Sequence, residues 1–493
     1  MAGTRQLRFR LWVDWTFSGS YTDESQYMID ASGDMSISPP SSGMTSGQGI
    51  VSQMRITMRN ASGRFSPLRT DGALYSAIRD GRGYHAPCYL EVSVNGGSSY
   101  SRVFTGVLKL PQESTLTSSE GPTVTFDARS MEEKYLQRRI SLTQGQLAAI
   151  YDGGLTEKDI IVTFLNAAGV AGGDMTLDPG LFVVPWAWLD DESAIEECWS
   201  IAAACGGRFY ADPDGEFLYE NMEHWQTATR STSVQLALGR NDFDSFRIHL
   251  GDDDLYNVVT VEASPRVIGG VDIIWEPDST PVIPPGTSTT IVARYDAPAY
   301  AIAGLQFSAA DQGGGARTSS VTITPTYYAQ RADLAVVNNA AYQIILFPLR
   351  ILGVPVIGGP ELESRSVSVA NAAYWTDRGD RTLSIRGNPY IQTSSHAGVL
   401  SQFLLDRCEY PRLIAQVGLP GVPSLRLGDR VQITDAPTIT STFTGYISAI
   451  RWTLAGAFRQ ELELIHTSQM FAYDGNYFVL NTHNFASGRR AFY

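Results

Sequence analysis

Charge is what this chain of 493 residues has little of: Asp, Glu, Lys and Arg together make up 18%, against about a quarter in an average soluble protein. Basic residues are the scarcer sign, 37 against 51 acidic, for a formal net charge of −14. A surface that grips nucleic acid needs clustered Lys and Arg. No such cluster is present, and the short "GRRAF" near the C-terminus is too small to serve. If the chain meets DNA, the expectation is that DNA slides past it rather than being held.

Cysteine and histidine are also sparse. Cys88, Cys198, Cys205 and Cys408 lie far apart, without CxxC spacing or a neighbouring histidine pair, which argues against a metal site and a disulfide framework. A reducing cytoplasm is therefore the expected place of assembly. The six histidines form no HExxH, and the glycine-rich "DQGGGARTS" has no GK[ST] after it, so neither a zinc peptidase nor a phosphate loop is indicated. Long apolar runs are missing as well. The best, "AAYQIILFPLRILGVPVIGG", is broken by Pro348, Arg350 and Pro355, and the N-terminus lacks the apolar stretch of a signal peptide. A soluble protein without stable membrane insertion is expected.

What the chain does have is 46 Gly, 23 Tyr and 20 Phe, with 43% apolar residues overall; this is the composition of a β-rich protein with many turns and real cores. Alternating runs such as "LRFRLWVDWTF", "VSQMRITMRN" and "PTVTFDARS" read as strands over residues 1–148. The period then changes. "TEKDIIVTFLNAAGV" puts Ile160, Ile161, Phe164, Leu165 and Ala168 on one helical face, with Thr156 and Asp159 as a capping box and Gly169 as the stop. "DDESAIEECWSIAAACGG" repeats that recipe with Ser193 as N-cap and Gly206 past the end, and "DPDG" turns a hairpin; together these give an α+β unit over 149–235. Residues 236–385 are short alternating runs between Gly/Pro turns. A helix over "SSHAGVLSQFLLDRCEY" and a second run of strands fill 386–470, and 471–493 is an aromatic tail.

The two strand-rich ends share a string. "FTGVL" at Phe104–Leu108 and "FTGYI" at Phe443–Ile447 are each preceded by an alternating strand and a polar turn, and followed by another turn and strand. Gly106 and Gly445 are candidate barrel bends, since glycine inside a strand marks a bulge or sharp turn, and Phe104 and Phe443 are candidate barrel core. The fold class expected is mainly β with an α+β insert: two similar small β-barrels flanking an α+β domain and a β-rich domain. Three copies of such a chain would present six similar units around an axis, a physical way to join a six-fold tube to a three-fold tip.

Several stretches resemble the hub or tail-tip proteins of tailed bacteriophages and related gene transfer agents. In "MRITMRNASGRFSPLRTDGALYSAIRDGRG" the matching residues are Asn60, Gly63, Arg64, Phe65, Ser66, Pro67, Leu74, Tyr75 and Gly81. "LTEKDIIVTFLNAAGV" with "GGRFYADPDGEFLYEN", and "RTLSIRGNPYIQTSSHAGVLSQFLLDRCEYPR" with "LRLGDRVQIT", resemble the family's later segments. The resemblance covers about two thirds of the chain and is weakest over 265–350. It implies a structural, non-enzymatic virion protein at the distal end of a tail: a homotrimer, with no cofactor, that joins a distal tail protein ring or tube protein. It further implies contacts with the tape-measure protein and with tail fibres or receptor-binding proteins, and DNA passing through the lumen without specific binding.

Two other functions have their own candidate residues. Trp186, Trp188, Tyr473 and Tyr477 are dense enough in aromatic surface to stack on sugar in a receptor-binding protein, or to fill an interface. The acidic triplets Asp190–Asp191–Glu192 and Asp252–Asp253–Asp254 are where a tail-associated cell-wall hydrolase would place carboxylates. The simpler expectation is that the first sits just before a helix, where carboxylates favour the positive end of the dipole, and that the second is a solvated turn before a strand.

Overall fold

In a computed structural model, the described residues are 6–37, 51–79, 85–114, 121–251, 255–367, 376, 379–409, 412–434 and 442–467. They are mainly β. The dominant element is one 14-stranded sheet that draws on both ends of the chain. Its strands are numbered here in chain order. The first eight are β1 (Arg8–Val13), β2 (Thr22–Asp23), β3 (Met28–Ser36), β4 (Gln53–Arg59), β5 (Ala86–Ser93), β6 (Ser101–Leu108), β7 (Gln112–Ser114) and β8 (Thr123–Ser130). The remaining six are β9 (Val234–Leu238), β10 (Ser245–Gly251), β11 (Arg412–Pro420), β12 (Arg430–Ile433), β13 (Phe443–Leu454) and β14 (Phe458–His466).

Side chains on a strand alternate between faces, and these strands obey that rule. In β4, Met54, Ile56 and Met58 are buried while Gln53, Arg55 and Arg59 are exposed; β8 and β14 alternate likewise. The inward set of every long strand joins one continuous core, from Leu11, Ile56 and Phe126 at one end to Val431, Ile450 and Leu464 at the other.

The strand path runs β10-β11-β14-β13-β3-β4-β8-β6-β5-β1-β2, with β9 and β12 branching at β13 and β7 at β8. Two separate closed barrels were expected, and among the described residues no barrel closes. The reason is the length of β13. Its first residues pair with β12, and its last six, Ala449–Leu454, run on to pair with Ser36–Ala31 of β3. That ladder fuses the two ends of the chain into one sheet.

The helices bury a second core. Helix Glu157–Ala168 starts at the Thr156–Asp159 capping box and stops at Gly169, whose φ of 84° is left-handed. Helix Ala194–Ala204 is capped by Ser193, and Gly206 follows it at φ 63°. Helix Ser394–Cys408, capped by Thr393, lays Ala397, Leu400 and Phe403 against the same core. The hairpin Arg208–Ala211/Phe217–Glu220 turns where Asp212 Oδ1 accepts the Asp214 and Glu216 N–H groups. All four cysteines are buried. A third core lies along Ile344–Gly358, a 15-residue strand flanked by Ala299–Ala310 and three shorter strands.

Candidate functional site

The two F-T-G strands sit in matching surroundings. Phe104 and Phe443 are both buried, and each ring lies over the glycine two residues on: a Cβ built at Gly106 or at Gly445 would come within 2.9 Å of that ring's Cε1. Gly106 faces Cys88 of β5 on one side and Ser130 of β8 on the other; Gly445 faces Val431 of β12 and His466 of β14. In both places an F-T-G strand lies antiparallel between the strand before it and a later one, β8 in the first case and β14 in the second.

The match extends across six positions. One half of the sheet reads β3-β4-β8-β6-β5-β1 and the other β10-β11-β14-β13-β12-β9. Register agrees too. If Gly106/Ser130 is laid on Gly445/His466, the pair Ser114↔Thr123 falls on Thr453↔Arg459. Farther out, Gln53↔Arg129 falls on Ile414↔Ile465, and Asp34↔Gln53 on His249↔Ile414. Even the irregularity is shared. Between Leu108↔Ala128 and Gln112↔Thr125 the first strand gains one residue on β8, and β13 slips against β14 between Ile447 and Ala449. The departures are that β6–β7 is broken where β13 is continuous, and that β9 joins β12 in parallel whereas β1 joins β5 antiparallel.

The solvent-facing side of this sheet carries cross-strand rows of mixed charge. One row is Glu461–Arg451–Asp34–Gln53–Arg129 and the next is Arg459–Thr453–Ser32–Arg55–Asp127. A depression of about 590 Å³, lined in part by Asp34, Arg55, Lys109, Arg129 and Arg451, opens over them. Opposite charges facing each other across strands are favourable. Burial lifts the Asp34 carboxyl pKa, and Arg451 pulls it back. Four arginines against three carboxylates in these two rows make the face close to balanced.

The N-A-S-G-R-F-S-P segment, Asn60–Pro67, is a locked turn beside β7. Asn60 Oδ1 accepts the Phe65 N–H at 3.0 Å and its Nδ2 donates to Glu113 at 3.0 Å. Ser66 Oγ donates to the other Glu113 oxygen at 2.7 Å. Arg64 reaches the buried Glu24, and Phe65 packs edge-on against Tyr27 and Phe126. Gly81 lies outside the described residues.

Trp186 and Trp188 are half-buried and occupied within the chain. The Trp186 ring packs against Tyr151 and Tyr300, its backbone bonds Gln392 in both directions, and Arg266 lies 4.7 Å over Trp188. Tyr473 and Tyr477 lie outside the described residues, as does Asp252–Asp253–Asp254. Asp190, Asp191 and Glu192 lie in a short strand that runs directly into helix Ala194–Ala204, so they stand just before a helix as expected; Asp190 accepts Ser141 Oγ and the Gln330 N–H at 3.0 Å each, and burial pushes Glu192 up to about 7. Among the described residues no three His, Cys, Asp or Glu side chains form a metal cluster.

Two polar constellations were not singled out from the sequence. Arg208, Glu220, His224 and Asp178 make a network in which buried Arg208 Nε donates to buried Glu220 and half-buried His224 Nδ1 meets Asp178 at 2.8 Å. Burial opposes charge on His224, but Glu220 and Asp178 prevail and hold its pKa above the usual value. The second is Arg230 with Asp429.

No family model and no curated protein sequence matches the chain. Solved structures do. The chain is similar to the tail protein from Neisseria meningitidis MC58, with a TM-score of 0.50 and 10% identity over 94% of this chain and 97% of that one. It is also similar to the 43 kDa tail protein of prophage MuSo2 from Shewanella oneidensis (0.48; 12%; 94% and 99%). A third likeness is to prophage tail protein gp18 from Listeria monocytogenes EGD-e (0.42; 9%; 94% and 98%). The fold is that of a tail protein, in agreement with the resemblance read from the sequence.

Proposed function

We propose that this chain is a structural hub at the distal tip of a phage-type tail. Three copies would surround a passage, each contributing two equivalent half-sheets, so that three chains offer six similar units to a six-fold tail tube. The observation that carries this reading is the repeated six-strand order with its shared register shift. A chain with one such unit needs no internal repeat; a chain that mediates between three-fold and six-fold symmetry does.

On this reading the polar ladders face the passage. Their balanced signs present DNA with neither a continuous basic strip that would hold it nor a continuous acidic one. The distal tail ring or tube protein would sit on the six-fold side. The tape-measure protein would end in the passage, and receptor-binding parts would attach outside, to segments such as 255–367. Stacking of Trp186 on glycan is disfavoured, since its ring is already packed.

The test is location. An epitope inserted at an exposed turn, such as Ser98–Ser99, should be seen by labelled antibody at the tail end remote from the head, in purified particles. Label along the whole tail, or particles lacking the chain, would remove the reading.

A further inference from the structure

We infer that the strand β7 of one copy pairs with β10 of a second copy, antiparallel, with Gln112 opposite His249, Glu113 opposite Ile248 and Ser114 opposite Arg247. The chain itself supplies the template. β3 and β10 hold the same place in the two halves of the sheet, as do β7 and the last half of β13. Within one chain β3 is already paired with β13, as Asp34↔Arg451, Gly33↔Trp452 and Ser32↔Thr453. Carrying those three pairs across the repeat gives the three pairs above.

Both edges are available. Among the described residues β10 pairs only with β11, and β7 only with β8. Gln112, Glu113 and Ser114 are exposed, as are Arg247 and His249, while Ile248 is half-buried. Strand edges that carry unpaired backbone groups are templates for another strand. Pro111, which has no N–H to give, stands just before the paired stretch, where it is tolerated. The two edges differ, so each copy offers one of each and the contact is head-to-tail, which generates a ring where the rotation closes. That the ring closes at three rests on the hub reading above; the edge pairing does not.

The test is a pair of cysteines in the full chain, Gln112→Cys with His249→Cys. Residues directly opposite in an antiparallel pair have Cα atoms about 4.5–5.5 Å apart, within reach of a disulfide, and the native cysteines are buried. Oxidation should give covalent multimers on a non-reducing gel, at least about tenfold more than the slipped control Gln112→Cys with Ser245→Cys. A second in-register pair, Ser114→Cys with Arg247→Cys, should behave like the first. Equal cross-linking of the slipped control overturns the pairing. So does a trimeric mass by light scattering without cross-linking of either in-register pair, and that result leaves the hub reading standing. In-register cross-linking that closes at a number other than three supports the pairing and removes the three-fold hub. A monomer without cross-links at any concentration overturns the pairing.

Discussion

Arg230 holds Asp429 in a two-pronged grip: Nε lies 2.7 Å from Oδ1 and Nη2 lies 2.6 Å from Oδ2. The carboxylate is almost wholly buried, and the Arg426 N–H completes its shell at 2.8 Å. The pair ties the entry to β9 onto the turn before β12, so it fixes the one parallel strand pair among the described strands of the large sheet. A guanidinium meeting a carboxylate in this bidentate geometry is the strong kind of pair.

Arg230→Ala should lower stability by about 2 kcal/mol, since it strips a buried carboxylate of its main partner. Arg230→Lys should recover only part, because an ammonium cannot span both oxygens. Urea denaturation of the three proteins checks this, and equal stability of the Lys and native forms would contradict it.

The two F-T-G glycines should differ in their tolerance of a methyl group. At Gly106 a Cβ would lie 2.0 Å from the Arg129 carbonyl oxygen, which is backbone and cannot swing away; at Gly445 the nearest backbone atom is the Ile465 oxygen at 3.0 Å. Gly106→Ala should therefore cost more than about 3 kcal/mol, and Gly445→Ala about 1–3 kcal/mol. Melting temperatures of the single variants test the order, and the reverse order would be incompatible with this packing.

Glu132 should make the protein less stable as pH rises. Its side chain is buried, the Ala211 N–H donates to it at 2.6 Å, and desolvation pushes its carboxyl up to about 7 from the usual 4.5. The folded state thus keeps a proton that the unfolded state has lost. The contribution is complete below about 4.5 and disappears as pH rises through about 7, amounting to about 3 kcal/mol at most. Glu132→Gln should flatten that part of the profile. Denaturation midpoints at pH 5 and 8 measure it, and an unchanged slope would exclude Glu132 as the source.

Reversing Arg451 should break the ladder locally. Arg451→Glu would put three carboxylates side by side, with Asp34 on one neighbour and Glu461 on the other, and should cost about 1 kcal/mol. Adding Asp34→Lys should restore most of the loss. A double-mutant cycle with no coupling would show that the ladder is ornamental.

Much of the secondary structure was legible before any coordinates. Caps and stops at Thr156, Gly169, Ser193 and Gly206 act locally, through bonds spanning three or four residues, so they stand in the sequence. The repeat was legible from five residues because Gly106 and Gly445 answer to the same close approach by their own strand's phenylalanine. Partnership was not. Alternation marks 236–385 as strand-rich, but not that Ser245–Gly251 leaves that stretch to join β11. The same limit turned one fused sheet into two imagined barrels. The clamp of Arg230 on Asp429 joins residues with no shared pattern, and nothing in a linear reading would have paired them.

The ladder between β13 and β3 also sets an order of events at the ribosome. The outer edge of β3 is made early, and its partner Ala449–Leu454 emerges some four hundred residues later. At bacterial-scale synthesis rates of about 5–20 residues per second that interval is on the order of a minute. Throughout it, a nascent chain carries an unsatisfied strand edge that a neighbouring nascent chain could occupy. Crowded polysomes making this protein would thus risk swapped dimers in which one molecule's late strand completes another's early one, a hazard that any slowing of translation near the 3′ end would worsen.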